Sequence, residues 1–242
     1  MAGLLPFPDD WERCLAVVAH PDDIEYGLAM AVARWTSEGR DVRYLLATRG
    51  EAGIDGVHPD EAGKLREVEQ RNAAAAVGVE VVEFLDHRDG MVEYGLPLRR
   101  DVAAAIRRHR PEVVVTINHG LTFGSGAEAM LNMADHRNVG LAVLDAARDA
   151  GNRWIFTDLL DEGLEPWNGV RLVGISATTA PTHGVDVSGW LDAGVASLEA
   201  HRAYLDGLGQ EIDVREMLSG FTRAAGEQLG VELAVALQVV RI

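Results

Sequence analysis

Cysteine, lysine and long apolar runs are scarce in this 242-residue chain. The single cysteine, Cys14, excludes an intrachain disulfide and any metal site built from several thiolates. No run of about 18 or more apolar residues is present, so the sequence predicts no membrane-spanning helix. The N-terminal segment lacks the basic start and the apolar stretch of a signal peptide. We therefore expect a cytoplasmic protein.

Positive charge is also in short supply. Lysine and arginine number 22 against 38 aspartates and glutamates, which gives a formal charge of −16. Binding the phosphates of nucleic acid needs a basic surface, so we expect no nucleic-acid partner. The apolar fraction of 48% is ordinary for a globular protein. The length fits one α/β domain, which we place over residues 1–242.

Short apolar runs alternate with helical patterns along most of the chain, which is typical of a mainly parallel sheet with helices on both faces. We predict a three-layer α/β/α sandwich with a Rossmann-like sheet. The predicted strands cover residues 14–19, 42–47, 81–85, 113–117, 154–156, 170–175 and 231–242. The predicted helices cover 25–38, 64–77, 101–109, 135–150 and 189–205, and a long loop covers 118–133.

The first predicted strand is followed directly by the segment AHPDDIE, which places His20, Asp22, Asp23 and Glu25 at a strand end. Ligands of open α/β sheets bind at the carboxyl ends of strands. Two adjacent aspartates repel each other unless a cation lies between them. The segment also lacks the glycine-rich turn that a dinucleotide pyrophosphate requires. The sequence therefore favours a cation site over a nucleotide site.

Asp135 and His136 follow the long predicted loop and open the next helix. A histidine that is neutral at pH 7 can bind zinc through a ring nitrogen. Two imidazoles and one carboxylate form a common catalytic zinc set, with a position left open for water. We expect Asp135 to orient one of these ligands.

These features resemble the LmbE-like (PIG-L) family of zinc-dependent N-deacetylases, which act on N-acetylglucosamine-containing molecules. The resemblance rests on AHPDDIE, on TRGEAG after the second strand, on Arg66-x-x-Glu69 and on Asp135-His136. It implies hydrolysis of an acetamide with a metal-activated water. The expected substrate is a small amino-sugar compound.

The same resemblance implies roles for individual residues. His20, Asp23 and His136 correspond to the metal ligands, and such a set accepts zinc, iron(II) or another divalent ion. Asp22 corresponds to the general base.

Three more residues correspond to family positions outside the metal set. The resemblance implies that Arg66 and Asp89 bind the sugar and that Glu25 supports the site. From the residues alone, Arg66 could form a surface ion pair, and Asp89 could be a turn residue.

One position departs from the family pattern. Met133 stands where many members have a histidine that stabilises the oxyanion, and a methionine donates no hydrogen bond. We predict that His119 supplies this role, with His183 as the other candidate.

Three alternatives are open at this point. The chain could be an amidase for a larger acyl group or a thiol conjugate, or a metal-binding homologue without turnover, as Met133 would suggest. A phosphoryl-accepting receiver domain fits less well, because the only lysine, Lys64, lies in a helix after the second loop. Self-association is also open, since the apolar C-terminal run could form a sheet strand or a subunit contact.

Overall fold

The computed structural model describes residues 3–124 and 126–242. The strands of this part are β1 (Leu5–Pro6), β2 (Arg13–Val18), β3 (Asp41–Leu46), β4 (Val82–Phe84), β5 (Val113–Ile117), β6 (Thr122–Phe123), β7 (Met130–Leu131), β8 (Leu172–Ser176), β9 (His183–Asp186) and β10 (Ala234–Arg241). The helices are α1 (Asp23–Gly27), α2 (Ala29–Ser37), α3 (Pro59–Ala76), α4 (Leu96–His109), α5 (Ala134–Asp149), α6 (Asp158–Asp161), α7 (Leu191–Glu199), α8 (Arg202–Gly207) and α9 (Val214–Leu229).

Eight strands form one sheet in the order β1-β9-β10-β8-β5-β2-β3-β4. Strands β8, β5, β2, β3 and β4 are mutually parallel, and β10 runs antiparallel to both β8 and β9. The mainly parallel sheet is thus confirmed. The C-terminal apolar run forms the sheet strand β10.

Helices cover both faces of the sheet, because successive side chains of a strand point to opposite faces. Leu15 and Val17 of β2 pack with α4 and α5, whereas Ala16 and Val18 belong to the core that includes α2, α7 and α9. The three-layer α/β/α sandwich is confirmed. Strands from both ends of the chain share the sheet, which supports one domain over residues 1–242, and that boundary stays a prediction.

The strand predicted over 154–156 is wrong. This segment forms turns that lead into α6. Its backbone turns because the buried guanidinium of Arg107 on α4 donates to the carbonyl oxygens of Asn152 and Ile155, both at 2.9 Å. In an extended strand the carbonyls of residues three positions apart point to opposite sides, so these two can meet one guanidinium only where the backbone turns.

The helix predicted over 189–205 is interrupted. It ends with α7 at Glu199, and α8 starts at Arg202. The break turns the fully buried side chain of His201 toward Glu25 of α1. The helix α9 and the strands β1 and β9 were not predicted. In the described part of the chain, no helix combines the length and apolar character needed to cross a membrane.

Candidate active site

The candidate site lies at the carboxyl ends of β2 and β5, which are neighbours in the sheet. His20 and Asp23 follow β2 directly, and Asp23 is the first residue of α1. His136 reaches the same place from the first turn of α5. The structure therefore brings together the three residues that the sequence suggested as ligands.

The donor atoms of these three residues have the spacing of a metal site. His136 Nε2 lies 2.9 Å from Asp23 Oδ1 and 3.2 Å from His20 Nδ1, and His20 Nδ1 lies 3.6 Å from Asp23 Oδ2. A tetrahedral zinc ion with bonds of about 2.0–2.2 Å spaces its ligand atoms by about 3.3 Å. All three side chains are buried. The residues present therefore fit a divalent metal.

In each imidazole, the outer ring nitrogen, which is the one that does not face Asp23, already has a polar partner. His20 Nε2 lies 3.2 Å from Asp135 Oδ2 and 3.1 Å from Asp89 Oδ1. His136 Nδ1 lies 3.0 Å from Asn132 Oδ1. A metal-binding histidine commonly donates its other N–H in this way, which fixes the ring and its tautomer. Both lone pairs that face Asp23 are thereby left for a cation.

His20, Asp89 and Asp135 form a second group of possible metal donors. Both carboxylates of this group face His20 Nε2 and not the Nδ1 atom that is directed at Asp23 and His136. They also accept backbone hydrogen bonds. Asp135 accepts from the amides of Gly90 and Val92, and Asp89 accepts from the amide of Ala52. We interpret this group as the support of His20, as expected for Asp135.

The charges around the donor set favour a cation. Burial lowers the pKa of His20, but hydrogen bonds to Asp135, Asp23 and Asp89 outweigh it and raise the pKa well above the ordinary value. Burial raises the pKa of Asp23, but the facing His136 and His20 bring it far below the ordinary value. Asp23 Oδ2 also accepts from the amides of Ala19 and His20, at 3.0 and 2.8 Å. The pattern is that of negative charge gathered around a positive centre.

Asp22 lies beside the donor set in a left-handed backbone conformation, with φ at 90°. Its Oδ2 accepts from Arg66 Nη2 at 2.8 Å. Burial raises the pKa of Asp22 to about 6, and the neighbouring Arg66 counteracts this rise. A carboxyl group with a pKa near neutrality can both accept and return a proton.

Arg66 is 2% exposed, so it does not form the surface ion pair that helical spacing alone allows. Its guanidinium donates to the carbonyl oxygens of Gly50 and Pro21 and lies over the ring of Tyr204. A Cβ at Gly53 would lie 2.2 Å from Arg66 Nη1. The glycines of TRGEAG therefore make room for this guanidinium.

Two other predicted residues contact different parts of the site. Asp89 contacts His20 as described, while the fully buried Glu25 lies behind Asp22. Gln70 of α3 donates to Glu25 Oε1 at 3.0 Å. Glu25 makes no direct contact with the donor atoms and reaches the site through Gln70.

The two candidate oxyanion donors differ in position. His119 follows β5 and packs against Gly140 of α5, where an added Cβ would lie 2.8 Å from His119 Cβ. Burial lowers the pKa of His119, and its Nδ1 has no hydrogen-bond partner within residues 3–124 and 126–242. His183 starts β9, four strands away from β2. At about 4.8 Å per strand this is roughly 19 Å, which argues against His183.

Sequence reasoning missed three polar residues of this region: Asn132, Gln70 and His201. Asn132 lies just before α5 and outside the helix, so the helical period gave no signal for its contact with His136. Gln70 lies one turn after Arg66 on α3 and faces the same side. No local signal marked His201, since it meets Glu25 through the break between α7 and α8.

The fold and the donor set together define an α/β protein with a candidate metal centre. The family model of GlcNAc-PI de-N-acetylases (PIG-L) matches residues 15–147. The chain belongs to this family.

Individual relatives agree with this assignment. A diacetylchitobiose deacetylase of Thermococcus kodakarensis is 30% identical over 200 residues, which cover 82% of this chain and 72% of that protein. A 1D-myo-inositol 2-acetamido-2-deoxy-alpha-D-glucopyranoside deacetylase of Kineococcus radiotolerans is 29% identical, over 72% of this chain and 54% of the relative.

A solved structure shows the same fold. The N,N'-diacetylchitobiose deacetylase of Pyrococcus horikoshii, determined with an inhibitor, superposes with a TM-score of 0.84. The superposition covers 96% of this chain and 84% of that protein, at 22% identity.

Proposed function

We propose that this protein is a metal-dependent N-deacetylase that removes the acetyl group from a small N-acetylglucosamine-containing molecule. The observation that carries the proposal is the His20–Asp23–His136 donor set with Asp22 beside it. The two relatives named above act on acetamido sugars by name, which supports the same reaction class. We propose zinc as the metal, and iron(II) would suit the same ligands.

The chemistry divides between the metal and the chain. When bound, a divalent metal supplies Lewis acidity toward a carbonyl oxygen. Asp22 accepts a proton from the attacking water as the new C–O bond forms at the acetamide carbon. Asp22 then returns that proton to the nitrogen as the C–N bond breaks, which yields acetate and a free amine. Arg66 orients the Asp22 carboxylate through the 2.8 Å contact with Oδ2.

We propose that His119 donates a hydrogen bond to the developing oxyanion. It would thereby supply the role of the histidine that many family members have at the position of Met133. Its lowered pKa keeps the imidazole neutral at pH 7, and a neutral ring still carries one N–H donor. Losing one such donor costs about 10²–10³ in rate. We expect His119→Ala to lose this factor in kcat. Met133→His in the same background should recover part of it, and normal turnover of His119→Ala would rule this role out.

The sugar-binding roles of Arg66 and Asp89 remain part of the proposal. Both side chains make hydrogen bonds within the protein, so any contact with sugar hydroxyls would use their remaining capacity. Asp89 can test this, because a carboxylate that binds sugar hydroxyls raises KM when it is replaced. We expect Asp89→Asn to raise KM more than it lowers kcat.

The experiment that tests the function combines elemental analysis with acetate release from N-acetylglucosamine derivatives. We expect about one zinc or iron per chain in the wild type. His136→Ala should lose both metal and acetate release, while His87→Ala, which replaces a histidine paired with Asp101 outside the donor set, should lose neither.

The same experiment separates the alternatives. Metal without acetate release, but with release of a longer acyl group, would establish an amidase of different specificity. Metal without hydrolysis of any amide would establish a silent homologue. Absence of metal after zinc addition would rule out the hydrolase.

Cytoplasmic location and self-association also belong to the proposal. The exposed Leu121, Met130 and Leu131 offer an apolar surface for a second copy, and light scattering of the purified chain tests this.

A further inference from the structure

Gln70 connects Asp22 to a buried carboxylate. Its Oε1 accepts from the Asp22 amide at 3.0 Å, and its Nε2 donates to Glu25 Oε1 at 3.0 Å. Both contacts are buried, and Gln70 itself is fully buried. A side-chain amide has one accepting and one donating end, so the contact with Glu25 fixes which end faces Asp22.

Glu25 is held from its other side by α7 and the segment after it. Its Oε2 lies 3.5 Å from His201 Nε2, and its Oε1 lies 3.5 Å from Ser197 Oγ. Glu25 and His201 are both fully buried. Among the residues that the structure describes, these long contacts leave Glu25 Oε2 without a hydrogen bond, and a buried carboxylate oxygen that lacks one is costly, so the placement of Glu25 needs a compensating gain.

The backbone at Asp22 explains why an anchor is needed there. A left-handed conformation is unfavourable for a residue with a side chain. Asp22 also precedes α1, and its carbonyl oxygen accepts from the amides of Glu25 and Tyr26 at 2.9 and 3.1 Å. The Gln70 contact satisfies the amide of Asp22 and so holds this residue from the opposite side.

We propose that Gln70, oriented by Glu25, is a positioning residue that fixes the backbone of Asp22 and thereby aims its carboxylate at the reacting water. The catalytic part of this inference rests on the proposed function. A displacement of about 1 Å at a reacting group can cost roughly 10² in rate. We expect loss of this anchor to lower kcat at least about tenfold, with little change in KM.

The test exchanges the two partners in the zinc-supplemented protein. Gln70→Glu places two carboxylates face to face and should lower kcat strongly. Glu25→Gln keeps an acceptor for Gln70 and should have a smaller effect. The double variant Glu25→Gln/Gln70→Glu restores a donor opposite an acceptor, and we expect it to recover most of the kcat lost in Gln70→Glu.

A second readout does not depend on activity. Hydrogen exchange of the Asp22 amide, followed by NMR, should accelerate at least about tenfold in Gln70→Leu and stay slow in the double variant. Thermal unfolding establishes which variants fold. Gln70→Asn, which is polar but too short to reach Asp22, replaces Gln70→Leu if the latter does not fold.

The outcomes are distinct. Unchanged exchange in Gln70→Leu overturns the anchor, and faster exchange with unchanged kcat overturns its catalytic importance. If the double variant does not recover the kcat lost in Gln70→Glu, the role of Glu25 is overturned. If the wild type hydrolyses no amide but Asp22 exchange accelerates in Gln70→Leu as expected, the anchor is supported and the proposed function is overturned instead.

Discussion

Two polar clusters adjoin Asp22: the donor set of His20, Asp23 and His136, and the cluster around Glu25. They differ in how many of their buried polar atoms have a hydrogen-bond partner. In the donor set, both outer ring nitrogens of His20 and His136 have carboxylate or amide partners. In the cluster around Glu25, the described contacts leave Glu25 Oε2, both ring nitrogens of His201 and the hydroxyl of Tyr44 without a hydrogen bond. The first cluster is therefore oriented in advance for a ligand, whereas the second retains costly buried groups.

The largest expected effect on kcat comes from replacing Asp22, the residue that adjoins both clusters. Asp22→Asn keeps the shape of the side chain but removes the proton acceptor, so kcat should fall by about 10²–10⁴. Metal content should stay the same, because the donor set does not include Asp22. Parallel kinetics and elemental analysis check this, and loss of metal would instead place Asp22 among the ligands.

A smaller effect, on metal affinity, tests which carboxylate supports His20 in the donor set. Asp135→Asn weakens the partner of His20 Nε2 and the contacts with the amides of Gly90 and Val92. We expect metal affinity to fall about 10–100-fold. Asp89→Asn serves as the matched variant. We expect it to lose less metal affinity, because Asp135 still supports His20. Competition with a zinc chelator measures both, and the reverse ranking would make Asp89 the main support.

The smallest expected effect concerns the cluster around Glu25. Burial lowers the pKa of His201, but Glu25 and Asp22 outweigh both burial and Arg66, so the folded-state pKa is raised. A raised pKa contributes stability below the unfolded value of about 6.5, and this contribution is lost as the pH rises through the folded value.

His201→Gln removes this titration. The wild type should therefore lose stability relative to His201→Gln as the pH rises from about 6.5 through the raised folded-state pKa of His201. Urea unfolding at constant zinc concentration measures the difference. A pH-independent difference would show that His201 is not charged in the folded protein.

The sequence predicted which three residues would meet at the strand ends, and the structure brings His20, Asp23 and His136 together there. That they bind a metal stays a prediction. The apolar run before His20 and the rule for parallel sheets placed the donors at a strand end, and the resemblance linked them to His136. Parallel strands bury both faces, so their apolar runs stand out in the sequence. The three-layer fold followed from the same alternation.

The missed features depend on distant contacts. The helix α9 is amphipathic, but its apolar residues pack on α7 and β10, which the linear pattern did not indicate as partners. Gln70 resembles any polar residue of a surface helix until Asp22 and Glu25 meet it. The turn at 154–156 was taken for a strand because the binding of its carbonyls to Arg107 involves a residue more than 40 positions away.

The hairpin of β6 and β7 adjoins a group of polar side chains that also holds His136, a candidate metal donor. Asn132 orients His136 through Oδ1 and donates from Nδ2 to the carbonyl oxygens of Asn118 and Gly120. The strand β6 contacts this group, because Asn118 Nδ2 donates to the Thr122 carbonyl oxygen and the ring of Phe123 packs edge-on against the ring of His136. In mechanical terms the hairpin and His136 are therefore coupled: a substitution that displaces β6 also displaces the imidazole ring that packs against it.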